Sequence, residues 1–125
     1  MEKILIALLL LVGLVNIAPL AGVLGADKLS ALYGISFADG NLAILMRHRA
    51  VLFGLIGGCI LLSAFTPALR PYAIAAGFVS MLSFVALALA SGDYNPQLRK
   101  IVIADSAASF ALALALIIYL TRRGA

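Results

Sequence analysis

Three residues that can carry a positive charge stand together inside an apolar run: Arg47, His48 and Arg49. The surrounding stretch reads NLAILMRHRAVLFGLIGG and contains no acidic residue. Burying a charge in an apolar environment is costly unless it is paired and hydrogen-bonded. We therefore expect these cations to have a partner elsewhere in the chain.

Asp105 is the best candidate for that partner, because it is the only acidic side chain inside any of the long apolar runs. A carboxylate beside an arginine orients the guanidinium, which can then bind an anionic or carbonyl oxygen. A histidine at the edge of such a pair can donate or accept a proton. The chemistry to expect is oxygen-ligand binding with an available proton carrier.

Metal chemistry is not expected from this sequence. The chain has one cysteine, Cys59, and one histidine, which excludes an internal disulfide and any metal site built from several cysteines. Cys59 lies in an apolar run and is expected to be a small buried residue. We predict no metal site and assign no catalytic residue.

The composition is that of a membrane protein. Of 125 residues, 65% are hydrophobic and only 11% are charged, with a mean hydropathy of +1.18. Globular proteins carry roughly 25% charged residues. The net charge of +4 does not indicate nucleic-acid binding, because the cations lie mostly at the ends of apolar runs, where they would meet lipid headgroups.

Four apolar segments, at about residues 4–24, 42–65, 71–90 and 97–120, must position the polar residues. Each approaches the ~20 residues that cross a bilayer as a helix, and lipid requires every backbone group to be paired within the segment. We predict an all-α, integral membrane bundle of four transmembrane helices with antiparallel up-down topology, in a single domain spanning residues 1–125. The first segment resembles a secretory signal peptide, but its apolar run continues past Pro19, so we expect a helix of the mature protein.

The connections give weaker signals. Residues 28–36 are expected to form either a short interfacial helix or a partly re-entrant turn. Asn95 is the predicted N-cap of the fourth helix, with Pro96 at its first position. Four crossings place both termini on one side, which is cytoplasmic if Arg47 and Arg49 are counted as intramembrane residues, whereas counting them as loop residues reverses the orientation.

The positions of the polar residues along the four helices predict that they lie at a similar depth in the membrane. Arg47–Arg49 lie about two turns inside the second helix, roughly 10–13 Å along its axis, and Asp105 lies roughly 13 Å inside the fourth. Asn16 and Ser83 lie a similar distance from the ends of the first and third helices. These side chains are therefore expected to converge at one level, with Tyr94 at the mouth of the region.

Only one of the two arginines can face Asp105, because Arg47 and Arg49 point about 200° apart on a helix. Arg47 shares its face with small residues, Ala50, Gly54 and Gly58. Small residues allow another helix to approach closely. We therefore predict that Arg47 pairs with Asp105, that His48 lies at the pocket edge and that Arg49 extends toward the headgroups.

The motifs LMRHRAVLFG and YNPQLRK, together with the intramembrane Asp105, resemble a group of small bacterial four-helix membrane proteins that are loosely DoxX-like. The likeness runs from the first helix to IYLTRR. It implies a bacterial inner-membrane protein with an accessory or quinone-adjacent role. Arg47, His48 and Asp105 would be its natural functional residues.

The polar cluster of Arg47, His48, Arg49, Asp105, Asn16, Ser83 and Tyr94 has two interpretations, a ligand site or a structural staple between helices. The function we favour is a non-enzymatic accessory subunit or binding module for a lipophilic ligand, either a lipid or a quinone-like molecule. Membrane lipids, a membrane protein complex or a second copy of the chain are the expected partners, and nucleic acid is not. An oligomeric transporter or proton-coupled channel is one alternative, and an enzyme acting on a lipid or isoprenoid through His48 and Asp105 is another.

Overall fold

The computed structural model describes residues 1–37 and 39–123, and this part of the chain is helical and contains no strand. Its five α-helices are α1 (Glu2–Ile17), α2 (Ala26–Tyr33), α3 (Gly40–Ser63), α4 (Arg70–Ser91) and α5 (Pro96–Arg123). Two 3-10 segments, Ala18–Leu24 and Pro67–Leu69, extend α1 and precede α4. The all-α prediction is confirmed.

Four helical segments are long and apolar enough to cross a membrane, which indicates a multi-pass membrane protein: Glu2–Leu24, Gly40–Ser63, Pro67–Ser91 and Pro96–Arg123. The predicted first helix differs in one respect, because its α-helical part ends at Ile17 and continues as a 3-10 helix. Pro19 explains the change, since proline removes a backbone donor and its ring crowds the preceding turn.

The four long helices pack around a shared apolar core. Helix α1 contacts α3 and α5, and α4 contacts the same two helices. Buried apolar residues of the four helices, together with Ala64 directly after α3, form the core: Leu5, Leu9, Val12, Ile60, Ala64, Ala73, Ile74, Met81, Ala108, Leu112, Ala115 and Ile118.

Glycine on α3 sets how closely α1 can approach. A methyl group at Gly57 would lie 2.6 Å from the backbone nitrogen of Ile17, so only glycine permits this contact. The predicted small-residue face is only partly used. A methyl group at Gly54 would meet the Leu20 side chain, whereas one at Gly58 would have no neighbour within 4 Å among the described residues. The packed face of α3 is therefore rotated toward Gly57 and Ile60 relative to the predicted one.

Helix α2 lies in the first connection, where the sequence predicts a short interfacial helix or a partly re-entrant turn, and it contacts the following helices α3 and α5. Leu29, Tyr33 and Phe37 form a second buried cluster against residues of α3 and α5. Asn95 joins α2 to α5, since its Nδ2 donates to the Tyr33 carbonyl at 2.8 Å. Its Oδ1 accepts from the Leu98 backbone N–H at 2.8 Å, which confirms the predicted N-cap.

An ionic cluster that was not predicted joins the four long helices at their other end. Glu2 of α1 pairs with Arg70 of α4 at 2.6 Å and also with Arg122 of α5. Arg70 donates from Nε to the Ser63 carbonyl at 3.0 Å and from Nη2 to the Ala64 carbonyl at 2.9 Å. These last carbonyls of α3 lack intrahelical partners, so Arg70 caps α3 while holding α1. We call this the Glu2–Arg70 cluster.

Candidate functional site: a cavity lined by Arg49 and Asp105

A cavity of about 450 Å³ lies beside α2, at the end of the bundle away from the Glu2–Arg70 cluster. Its walls come from α1, the following 3-10 segment, α2, α3 and α5: Val15, Asn16, Ala18, Pro19, Ala31, Leu32, Tyr33, Arg49, Phe53, Gln97, Lys100, Ile101, Ala104 and Asp105. Most of the lining is apolar, with a few polar groups converging on it. Size and lining are those of a small-molecule site, for which ~300–1,000 Å³ is usual.

Helix α5 contributes one continuous face to the cavity. Gln97 is followed after three and four residues by Lys100 and Ile101, and these are followed after the same intervals by Ala104 and Asp105, which places all five in a row on one side of a helix. Asp105 is half-buried, at the inner end of this row. Lys100 is exposed, nearer the start of the helix. The row therefore runs from an exposed cation to a partly buried carboxylate.

Arg49 of α3 also lines the cavity, and its guanidinium lies in an aromatic cage. Its guanidinium carbon is 4.5 Å from the centre of the Phe53 ring, 5.3 Å from that of Tyr33 and 5.8 Å from that of Phe84. Nη1 donates to the Tyr33 hydroxyl at 2.8 Å. Cation–π contacts hold the charge without using its N–H donors. In the described part of the chain this is the one hydrogen bond of Arg49, so most of its donors are available.

Asn16 provides a fixed acceptor in the cavity wall. It is 3% exposed, and its Nδ2 donates to the Val12 carbonyl at 2.9 Å and to the Met81 sulfur at 3.4 Å. These bonds fix the orientation of the carboxamide. Within residues 1–37 and 39–123 its Oδ1 takes part in no hydrogen bond, so an acceptor remains for a donor in the cavity.

The two charged residues share the cavity without forming a direct ion pair. Among the described residues, every ion pair within 4.0 Å involves Glu2, and none involves Asp105. Asp105 therefore leaves the donors of Arg49 free. The same part of the chain holds no group of three His, Cys, Asp or Glu residues that could bind a metal ion.

The predicted pairing of Arg47 with Asp105 is wrong. Arg47 is exposed, and its Nε donates to the Val23 carbonyl at 2.9 Å. Arg49 does not extend away from the bundle as predicted but is half-buried in the cavity wall. The reason is the rotated face of α3: Arg49 precedes Phe53 and Gly57 by four and eight residues, so it shares their packed side.

The remaining predicted residues are dispersed. His48 is exposed and Tyr94 is half-buried, and neither lines the cavity. Ser83 is exposed, donates to the Ser80 carbonyl at 3.2 Å and lines a second cavity of about 250 Å³ between α3 and α4. Arg49 lines this second cavity too, so Ser83 lies near the site but in a different compartment.

Four residues of the site were not singled out from the sequence: Tyr33, Phe53, Gln97 and Lys100. A signal existed for three of them, because Gln97 and Lys100 precede Asp105 at helical spacing and Phe53 follows Arg49 by four residues. Tyr33 had no such signal, since its place in the cavity wall depends on how α2 folds back.

Comparison of the chain with protein-family models, with curated proteins and with solved structures found no match. The resemblance to DoxX-like proteins therefore stays a prediction. What the fold and site define is a class: a multi-pass membrane protein with an internal, partly polar cavity.

Proposed function

We propose that this protein is a non-enzymatic binding module or accessory subunit that holds one lipophilic ligand, a lipid or a quinone-like molecule, in the cavity of Arg49 and Asp105. Its setting would be the bacterial inner membrane, where it forms an antiparallel up-down bundle of four transmembrane helices. The ligand places an oxygen-bearing head against Arg49, and the apolar walls receive the first part of its chain.

The Glu2–Arg70 cluster supports the antiparallel arrangement. Its contacts join the first residue of the helices α1 and α4 to the ends of α3 and α5. Cations gather at the same end, with Lys3, Arg122 and Arg123 next to the cluster in sequence. With Arg47 and Arg49 set aside as intramembrane residues, the other end carries only Lys28, Arg99 and Lys100. On that count, the rule that cytoplasmic segments carry the excess of Lys and Arg places this end in the cytoplasm and the cavity toward the opposite face.

The observation that carries the binding proposal is that Arg49, a half-buried residue of the cavity wall, makes one hydrogen bond within the described part of the chain. A guanidinium in an apolar bundle is costly, roughly 2.5–3.5 kcal/mol at a helix centre on insertion scales. Arg49 offsets part of this cost with aromatic contacts and one bond to a neutral hydroxyl. A purely structural arginine would use its other donors on the protein, as Arg70 does. Within the described residues Arg49 makes one hydrogen bond, and it lines a ligand-sized cavity.

An enzymatic role is less well supported. Acid–base chemistry on a bound lipid would need His48 and Asp105 at one site, within hydrogen-bond reach of the same reacting group. His48 is exposed and does not line the cavity of Asp105. A binding role needs only the groups that do line it.

Native mass spectrometry from nanodiscs of bacterial lipid extract tests the proposal. The wild-type protein is expected to leave the disc with one retained amphiphile per chain. Arg49→Gln removes the charge from the cavity and is expected to lose that amphiphile. Arg47→Gln is the matched control, because it removes an exposed arginine two residues away on the same helix, and it is expected to retain the amphiphile. Equal retention by all three proteins, or retention by none, would overturn the proposal.

A further inference from the structure

We infer that the ligand is an acidic amphiphile whose carboxylate or phosphate head bridges Arg49 on α3 and Lys100 on α5. This inference rests on the proposed binding function and makes the ligand class more specific. It chooses an anionic head over a neutral carbonyl such as that of a quinone.

The charges of the cavity favour an anion. Two cations, Arg49 and Lys100, and one acid, Asp105, line it, so its formal charge is +1. Neither cation has an acidic partner within 4.0 Å in the described residues, since the ion pairs found there both involve Glu2. An anion entering the cavity therefore displaces no existing ion pair.

The positions of the two cations fit one bridging head. Arg49 and Lys100 line the same cavity from two different helices, α3 and α5. The planar guanidinium can bind a carboxylate or phosphate through two parallel N–H bonds, and the ammonium of Lys100 adds a second positive charge from another helix. A neutral carbonyl would accept hydrogen bonds from only some of the Arg49 N–H groups and would give the Lys100 ammonium no oppositely charged partner. An acidic head uses both.

The rest of the cavity suits the chain that follows such a head. Val15, Pro19, Phe53 and Ile101 provide apolar wall beside the charged groups. Lys100 is exposed, so the head would enter from the α2 end and remain near the interface while the chain meets the apolar wall. This polarity, charge at the mouth and hydrocarbon against the wall, is that of an acidic amphiphile.

A substitution at Asp105 tests whether the ligand head is negatively charged. A carboxylate near an acidic head repels it, so Asp105 would limit the affinity for such a ligand. Asp105→Asn is therefore expected to strengthen binding of an acidic amphiphile severalfold. A role for Asp105 as a ligand-holding group would produce the opposite change.

The experiment titrates oleic acid and oleyl alcohol, which share a chain and differ in head charge, onto the purified protein in phosphatidylcholine nanodiscs, with a short-chain neutral quinone as third probe. The wild-type protein is expected to bind oleic acid roughly tenfold more tightly than oleyl alcohol, as a charge-assisted hydrogen bond would give. Lys100→Gln is expected to remove most of this preference. Arg99→Gln, which removes the neighbouring exposed cation outside the cavity, is expected to keep it.

Two results would separate failure of this inference from failure of the binding proposal. Tighter binding of the alcohol or the quinone than of the acid, abolished by Arg49→Gln, would overturn the acidic head and leave the binding function standing. Binding of none of the three probes above the level of Arg49→Gln, together with no retained amphiphile, would overturn both. An unchanged acid preference in Lys100→Gln would overturn the bridge.

Discussion

Two arginines in this apolar protein occupy opposite ends of the bundle and differ in how fully they are bonded. Arg70 is 5% exposed, and all three of its nitrogens donate, to the Ser63 and Ala64 carbonyls and to the carboxylate of Glu2. Arg49 is half-buried beside a cavity and, within residues 1–37 and 39–123, donates one hydrogen bond, to Tyr33. The same residue type is a structural clamp where its donors are saturated and an available binding group where they are not.

The difference also suggests that one end of the bundle serves stability and the other serves ligand binding. Arg70 satisfies carbonyls at the end of α3 that would otherwise have no partner, and its charge complements the helix dipole there. Arg49 lies where five elements meet imperfectly and leave a void. We therefore expect changes at the Glu2–Arg70 cluster to lower the free energy of unfolding and changes at the cavity to alter ligand binding.

The largest effect on stability is expected for Arg70→Met. The substitution keeps an unbranched side chain without the guanidinium and leaves two buried carbonyls without a donor, which costs about 3 kcal/mol in the free energy of unfolding. Unfolding by SDS in mixed micelles measures it. Arg122→Gln removes an exposed arginine from the same cluster and is expected to cost much less. Equal losses in the two variants would contradict the clamp assigned to Arg70.

The next largest effect is expected where α1 and α3 touch. Gly57→Ala would place a methyl group 2.6 Å from the Ile17 nitrogen, and overpacking of this kind costs about 2 kcal/mol. A methyl group at Gly58 has no neighbour within 4 Å in the described part of the chain, so Gly58→Ala is the matched control and is expected to be neutral or slightly stabilising. The same SDS titration compares the two. A greater loss of unfolding free energy in Gly58→Ala than in Gly57→Ala would contradict the assignment of the close α1–α3 contact to Gly57.

Asn95→Ala is expected to have an intermediate effect, since it removes both the cap of α5 and the bond to Tyr33. Loss of an N-cap alone costs about 1 kcal/mol. Asn95→Asp retains the acceptor for the Leu98 N–H but cannot donate to the Tyr33 carbonyl, so it is expected to recover most of the stability. If the aspartate variant is as unstable as the alanine variant, the link to α2 matters more than the cap.

The smallest effect on stability is expected for Arg49→Gln, within about 1 kcal/mol of the wild type. The lost aromatic contacts and hydrogen bond are offset by no longer burying a charge. A destabilisation as large as that of Arg70→Met, in the same titration, would mean that Arg49 is a second structural clamp.

The sequence predicted the membrane-spanning segments well because each depends on a long apolar run, which is a local property. Asn95 at the start of α5 was predicted correctly for the same reason, since an N-cap is read from a few adjacent residues. The arginine that shares the cavity with Asp105 was predicted incorrectly. A rotation of α3 by a fraction of a turn, set by the Gly57 contact, brings Arg49 rather than Arg47 to the packed face. The Glu2–Arg70 cluster joins residues 68 positions apart, so no local pattern indicates it.

The most direct test of the account is the shift that lipid binding causes in the unfolding midpoint of delipidated protein. Bacterial inner-membrane lipid extract is added to the wild type, Arg70→Met and Arg49→Gln, because a ligand that binds only the folded state stabilises it by mass action. We predict that Arg70→Met unfolds earlier but gains the same shift as the wild type, whereas Arg49→Gln unfolds like the wild type and gains none. A full shift in Arg49→Gln would contradict the account.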